Sequence, residues 1–245
     1  MSPSEKTKFI SNWIKLYVDQ MPIKAKSLVI GISGGIDSSV SSTLSAKTGI
    51  KTIVLTMPIR QKDNQHDLSL KHQEWLIKNF ENVEAHTINL DKLFESFSST
   101  LKKFNNEHGY ANSRARLRMT TLYQVAAANK GIVVGTGNKV EDFGVGFYTK
   151  YGDGGVDISP IADCNKTEVW ELGKELGILK EIIDAPPTDG LWDDGRTDEG
   201  QLGFKYEDLE DAMKNPNSPH RQEYEKIRKQ NLHKMEPIPV CKIPS

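Results

Sequence analysis

Cysteine is nearly absent. The 245 residues hold two, Cys164 and Cys241, too few for a disulfide framework or a thiolate metal cluster. A surplus of basic charge is missing as well. Lys and Arg number 32 against 33 Asp and Glu, so the chain as a whole lacks the electrostatic footprint of a nucleic-acid binder. No apolar run approaches the roughly 20 residues needed to cross a bilayer, and residues 1–10 are polar, without the apolar core of a signal peptide. His66, His72, His86 and His108 have no metal-ligand spacing and read as surface or edge positions. Membrane, secreted and collagenous classes are thereby excluded, and a cytoplasmic chain is expected. With 37% hydrophobic and 27% charged residues, the composition is that of a globular protein with a real core. The length suits one α/β domain covering 1–245.

What is present is an alternation. Apolar, β-branched runs at 27–30, 51–57, 83–90 and 131–136 read as strands. Between them lie helical patterns at 4–20, 39–48, 67–80, 93–104 and 112–129. Such alternation implies right-handed crossovers and a Rossmann-like parallel sheet with helices on both faces. Ligands of these sheets bind beyond the carboxyl ends of the strands. Residues 139–159 and 185–203 read as long loops, the second acidic and glycine-bearing. Asn165 followed by Glu168 reads as a capping box opening a helix. Further helices are expected near 206–214 and 219–233. Trp13, Trp75 and Trp170 fit helical apolar faces and are expected in the core, whereas Trp192 is placed to cover a ligand.

The first strand runs into Gly31-Ile32-Ser33-Gly34-Gly35-Ile36-Asp37-Ser38. Adjacent glycines bring backbone N–H groups close to an anion, and the following helix N-terminus adds free donors and positive partial charge. Ser33, Ser38 and Ser39 add hydroxyls. The turn is suited to phosphate. Asp37 would repel that phosphate unless a cation lay between them, so Mg²⁺ bridging Asp37 and phosphate oxygens is expected. The turn lacks the lysine and the four-residue spacer of a Walker A loop.

Ser-Gly-Gly-x-Asp-Ser resembles the pyrophosphate-binding loop of the N-type ATP pyrophosphatases, whose fold is of the adenine nucleotide alpha hydrolase type. Further segments are similar to NAD synthetases: Asn112-x-x-Ala-Arg-x-Arg-Met119, Gly135-Thr136 with Glu141, the run from Phe147 through Thr149-Lys-Tyr-Gly-Asp-Gly-Gly155 to Asp157, Lys166, Pro187-Thr188 and His233-Lys234. They stand in the family's order and span most of the chain.

The resemblance implies a reaction. ATP adenylates the nicotinate carboxylate of deamido-NAD⁺, pyrophosphate leaves, and ammonia displaces AMP to give NAD⁺. It also implies roles. Gly31, Ile32, Ser33, Gly34, Gly35, Ile36, Asp37, Ser38, Thr136, Lys166 and Thr188 would bind ATP. Asp37 and Glu141 would hold Mg²⁺. Arg116, Lys150, Asp157, His233 and Lys234 would bind deamido-NAD⁺. One more residue separates Glu141 from Lys150 than in some family members, so Asp142 competes for the ligand role. Arg114, Arg116 and Arg118 alternate on a helix and cannot all face one ligand. The family match singles out Arg116, and Arg114 is expected on a solvated face. No glutaminase region fits in the length, so free ammonia is the expected donor. Family members are homodimers. Three other readings stay open: a GMP-synthetase-like amidotransferase, a tRNA-thiolating enzyme and a non-catalytic nucleotide sensor.

Overall fold

A computed structural model describes residues 1–60, 63–187 and 197–243, side chains of 63–66 excepted. Four strands form one parallel sheet: β1 (Ser27–Gly31), β2 (Lys51–Thr56), β3 (Val83–Thr87) and β4 (Gly131–Val133). The order is β3-β2-β1-β4. The chain winds outward from β1 to β3, then returns to place β4 on the free side of β1. That reversal creates a crevice between β1 and β4, where their carboxyl ends diverge. Leu28 lies opposite Thr52 on one side and Ile132 on the other. β1 is therefore the buried centre, which explains its uninterrupted apolar run.

Alternate residues of β1 feed two cores. Leu28 and Ile30 pack beneath α1 (Pro3–Gln20), α2 (Ile36–Ala46), α3 (Asp63–Asn79) and α6 (Lys166–Glu175). Val29 faces the opposite layer with Ile53, Leu55 and Phe94, covered by α4 (Asp91–Thr100) and α5 (Glu107–Ala128). A third, smaller core joins Val140 and Val145 to Leu202, Tyr206, Leu209 and Tyr224. It packs α8 (Asp198–Leu202), α9 (Tyr206–Lys214) and α10 (Arg221–Met235) over the mouth of the crevice.

The alternating pattern thus folds as its periodicity predicts, with differences that bear on the site. Residues 139–145, read as loop, form a π-helix capped by Asn138. A π-helix is a wider turn than an α-helical one. Two short helices, α7 (Lys180–Ile183) and α8, add to the elements expected from periodicity; both are too short to show a period. The strand read over 83–90 ends at Thr87, and β4 ends at Val133. The Glu168 half of the capping box is formed: the Asn165 N–H donates to Glu168 Oε2 at 2.8 Å. His72 is fully buried, not at an edge, with Nε2 3.0 Å from Ser42 Oγ. Trp13 is 39% exposed on α1, whereas Trp75 and Trp170 pack against the main core. His66, Trp192 and Thr188 lie outside the described residues or side chains.

Candidate active site

The glycine turn leaves β1 and enters α2. Gly34 has φ of +89°, a left-handed conformation that a side chain would strain. The turn is braced by its own serines. The Gly35 N–H donates to Ser33 Oγ and the Ser33 N–H to Ser38 Oγ, both at 3.2 Å. Ser38 and Ser39 hydroxyls donate to the Gly35 carbonyl. Asp37 stands in the first turn of α2 and so at the crevice.

Three charges meet there. Lys166 Nζ lies 2.5 Å from Asp37 Oδ2 and 2.9 Å from Glu141 Oε1. Its side chain is 2% exposed, those of Asp37 and Glu141 18% and 15%. Burial alone would lower the lysine pKa, yet the two carboxylates outweigh it and raise it above the usual range. Burial pushes Glu141 up, but the Lys166 charge and a hydrogen bond from Tyr206 hold it below its ordinary value. Asp37 is left on the high side by burial and by Glu141. Three distant segments converge because each ends at the same edge: α2 after β1, the π-helix after β4, and α6 after the glycine-rich run. Asn138 ties two of them. It is fully buried, donates to Asp37 Oδ1 at 3.2 Å, and accepts from the N–H groups of Val140 and Glu141 at 3.0 Å.

Beside this cluster lies a cavity of 220 Å³, lined by Gly31–Ser33, Asp37, Ser38, 134–137, Glu141, Asp142, Asp153 and the α5 residues Arg118, Met119 and Leu122. Thr136 is in this wall. A second cavity of 420 Å³ is lined by His108, Asn112, Arg116, Lys150, His233 and Lys234, a strongly basic set. Phe147 and Asp153 line both. The two cavities therefore share a wall, one side rich in phosphate-binding geometry, the other in cations.

The basic groups are organised by the loop that follows the π-helix. Arg116 Nε donates to the Lys150 carbonyl at 3.3 Å, and Lys150 Nζ donates to the His233 carbonyl at 2.8 Å. Lys234 Nζ donates to the Tyr148 carbonyl at 2.9 Å, and burial lowers its pKa. Thr149 donates to Asn112 Oδ1 at 2.7 Å. Asp142 sits near Asp153, Glu141 and Asp37; burial and those charges raise its pKa well above the usual carboxylate range. It is Glu141, not Asp142, that shares the Lys166 ammonium with Asp37.

Of the residues singled out from sequence, 31–33, Asp37, Ser38, Thr136 and Glu141 line the first cavity, with Lys166 bound to its carboxylates. Arg116, Lys150, His233 and Lys234 line the second. Asp157 stands apart from both: its carboxylate accepts from the Val133 N–H at 2.7 Å and the Tyr123 hydroxyl at 3.1 Å. Arg114 is not solvated; it is 7% exposed, with its guanidinium 4.9 Å from the Phe94 ring centroid. Arg118, given no ligand role by the sequence, lines the first cavity, and its Nε donates to the Met57 carbonyl at 3.0 Å. Sequence reasoning passed over Asn138 and Tyr206. An asparagine after a strand-ending glycine turn was a usable signal for the first. Nothing local marks the second.

The donor set suits a hard cation. Two carboxylates from different elements converge, with no third His, Cys, Asp or Glu completing a metal-binding group among the described residues. A cation held by two protein carboxylates must take its remaining ligands from phosphate and water, as Mg²⁺ does with nucleotides.

Comparison with known proteins places this geometry. A family model described as NAD synthase matches residues 6–243. An NH(3)-dependent NAD(+) synthetase of Carboxydothermus hydrogenoformans is 39% identical over 212 residues, 84% of this chain and 83% of that one. That of Finegoldia magna is 36% identical over 227 residues, 92% and 90% of the two chains. Among solved structures, the NMN synthetase of Francisella tularensis superposes with a TM-score of 0.91 at 33% identity, covering 99% of this chain and 100% of that one. The NH3-dependent NAD synthetase of Campylobacter jejuni gives 0.79 at 23% identity, over 99% and 100%, a likeness of fold alone. With a phosphate-type turn, a shared carboxylate pair and an adjoining basic cavity in one crevice, and a family match from end to end of that crevice, the chain belongs to the NAD synthase family.

Proposed function

We propose that the protein amidates the nicotinate carboxylate of deamido-NAD⁺ with ammonia, using ATP, to give NAD⁺, AMP and pyrophosphate. The observation that carries this reading is the shared wall at Phe147 and Asp153. A nucleotide lying along the glycine turn and a nicotinate nucleotide in the basic cavity would meet there. A carboxylate is a poor acyl donor, and transfer of its oxygen to the α-phosphorus of ATP makes AMP the leaving group. Ammonia then attacks the acyl carbon and the C–O bond to AMP breaks.

The chain's residues divide the work. The N–H groups of the glycine turn and the N-terminus of α2 hold the β- and γ-phosphates. Thr136 and Thr188 contact ATP, and Lys166 offsets the charge that develops on departing pyrophosphate. Arg116, Lys150, His233 and Lys234 hold the anionic nicotinate nucleotide. Arg116 suits this through its planar fork. Asp157, bonded here to the Val133 N–H and the Tyr123 hydroxyl, would meet the hydroxyls or ring amide of the dinucleotide. Asp37 and Glu141 would hold Mg²⁺, which neutralises phosphate charge when bound. Residues 1–245 act as one synthetase unit fed by free ammonia, as a cytoplasmic homodimer. Light scattering checks the dimer.

The test is direct: purified protein with deamido-NAD⁺, ATP, MgCl₂ and NH₄Cl forms NAD⁺ and AMP in equal amounts, and glutamine at trace ammonia substitutes poorly. Pyrophosphate release that ignores the nicotinate nucleotide overturns the reading. One observation favours a second acceptor. The Francisella tularensis NMN synthetase is the better structural match, at 0.91 against 0.79. Nicotinate mononucleotide, lacking the adenylyl half, is then the acceptor. Parallel kcat/KM values for the two nucleotides decide between them.

A further inference from the structure

Tyr206 lies 65 residues beyond Glu141, at the first position of α9, and is fully buried. Its hydroxyl donates to Glu141 Oε1 at 2.5 Å. Lys166 Nζ donates to the same oxygen. Neither bond uses Oε2. A tyrosine hydroxyl, with an ordinary pKa of about 10, keeps its proton near pH 7. It is a permanent donor.

The surroundings fix the ring. Trp170 packs edge-on at 5.9 Å between centroids, and Lys166 Nζ sits 5.0 Å from the ring centroid. The backbone N–H of Tyr206 donates to Glu199 Oε1 at 3.1 Å, which ties α9 to α8. One turn further on, Glu210 accepts from the Thr167 N–H at 3.0 Å and from its hydroxyl at 2.7 Å. Helix α9 thus grips both sides of the carboxylate pair: Glu141 through Tyr206, and the start of α6 next to Lys166 through Glu210.

We propose that Tyr206 is a positioning residue for the divalent cation: it pins Glu141 Oε1 so that Oε2 stays aimed at the cation when Lys166 moves to the phosphates of bound ATP. The physical need is plain. Once the lysine leaves, a carboxylate on a widened helical turn would lose its chief partner and rotate. A second, uncharged donor that never leaves keeps its orientation at no electrostatic cost to the cation. The inference rests on the metal-assisted reading above.

The test measures Mn²⁺ binding by electron paramagnetic resonance, with the protein saturated by a non-hydrolysable ATP analogue. Wild type must bind Mn²⁺; if it does not, the metal reading itself fails. Tyr206→Phe keeps the ring and its packing and removes only the hydroxyl. Its Mn²⁺ dissociation constant is expected to rise about 10-fold, the range for loss of an outer partner of a metal ligand. Metal-free affinity for the analogue and the melting temperature change little. Tyr206→Met, which fills similar space without a donor, must show the same loss. In a Glu141→Gln background, Tyr206→Phe must have no further effect on Mn²⁺ affinity, because its action runs through the carboxylate. A Tyr206→Phe protein within 2-fold of wild type overturns the proposal, as does an undiminished effect in the Glu141→Gln background.

Discussion

Lys166→Met is the most informative single change in the molecule. It keeps the buried stem and deletes the ammonium that Asp37 and Glu141 share at 2.5 and 2.9 Å. At an effective dielectric near 20, each contact represents about 6 kcal/mol of gross attraction. Desolvation of three charges offsets much of it, and removing one partner of a buried pair costs about 3–5 kcal/mol net. The side chains are all less than one-fifth exposed, so solvent screening does not erase the effect. For a chain of this size, each kcal/mol moves the melting temperature by about 2–4 °C, so a fall of about 6–20 °C is expected in EDTA. The same vacancy lets a divalent cation bind the carboxylates directly. Held at 100 times its dissociation constant, such a cation returns about 2.7 kcal/mol. Differential scanning calorimetry with and without 10 mM MgCl₂ (roughly that excess for a sub-millimolar site), in the absence of nucleotide, makes the comparison. Magnesium should raise the variant's melting temperature and leave wild type nearly unmoved, because wild-type Lys166 already fills the position. Equal shifts in both proteins, or a variant as stable as wild type in EDTA, would refute the view of Lys166 as a resident cation.

Other expectations follow from the same geometry. Asp37→Asn and Glu141→Gln should each lower Mg²⁺-dependent turnover at least about 100-fold with the circular dichroism spectrum kept; normal turnover removes that residue from the metal site. Arg116→Lys should raise the KM for the nicotinate nucleotide about 10-fold, near the 1.4 kcal/mol of one weakened charged contact. The KM for ATP should stay, and a shift confined to ATP would contradict the assignment. His72 is buried neutral, and burial pushes its pKa down to about 4. Its folded pKa lies below the ordinary 6.5, so the stability it contributes is complete above that pH and is lost as pH falls toward about 4. The loss amounts to about 3 kcal/mol. Urea titrations between pH 7 and pH 4 should show this slope, and His72→Gln should flatten it.

The sheet was legible because its strands are β-branched runs closed by glycine or proline, as at Lys51–Thr56 before Pro58. The glycine turn was legible because phosphate binding needs backbone freedom and a helix start, both of which leave marks in sequence. Lys166 was recognisable as a cation at a helix N-terminus, where the dipole disfavours it; the structure supplies the two carboxylates that hold it. The π-helix was hidden, since one inserted residue breaks any 3.6-residue period without creating another. Tyr206 was hidden for a different reason. A buried tyrosine opening an amphipathic helix looks like ordinary core, and its partner is far away in the chain. Asp157, recognisable by motif, has its carboxylate bonded in this structure to the Val133 N–H and the Tyr123 hydroxyl, partners that nothing in the sequence marks.

The swollen turn at Lys139–Val145 uncouples two registers. Upstream, Asn138 keeps its bonds to Asp37 and to the following amides; downstream, the segment from Phe147 to Lys150 keeps its place against α5 and α10. Two neighbouring carboxylates leave this one turn for different surroundings: Glu141 meets Lys166 and Tyr206, while Asp142 lies buried near Asp153. Which of the two acids is paired with the buried lysine is therefore read from the bonds of Glu141, not from its position in the chain.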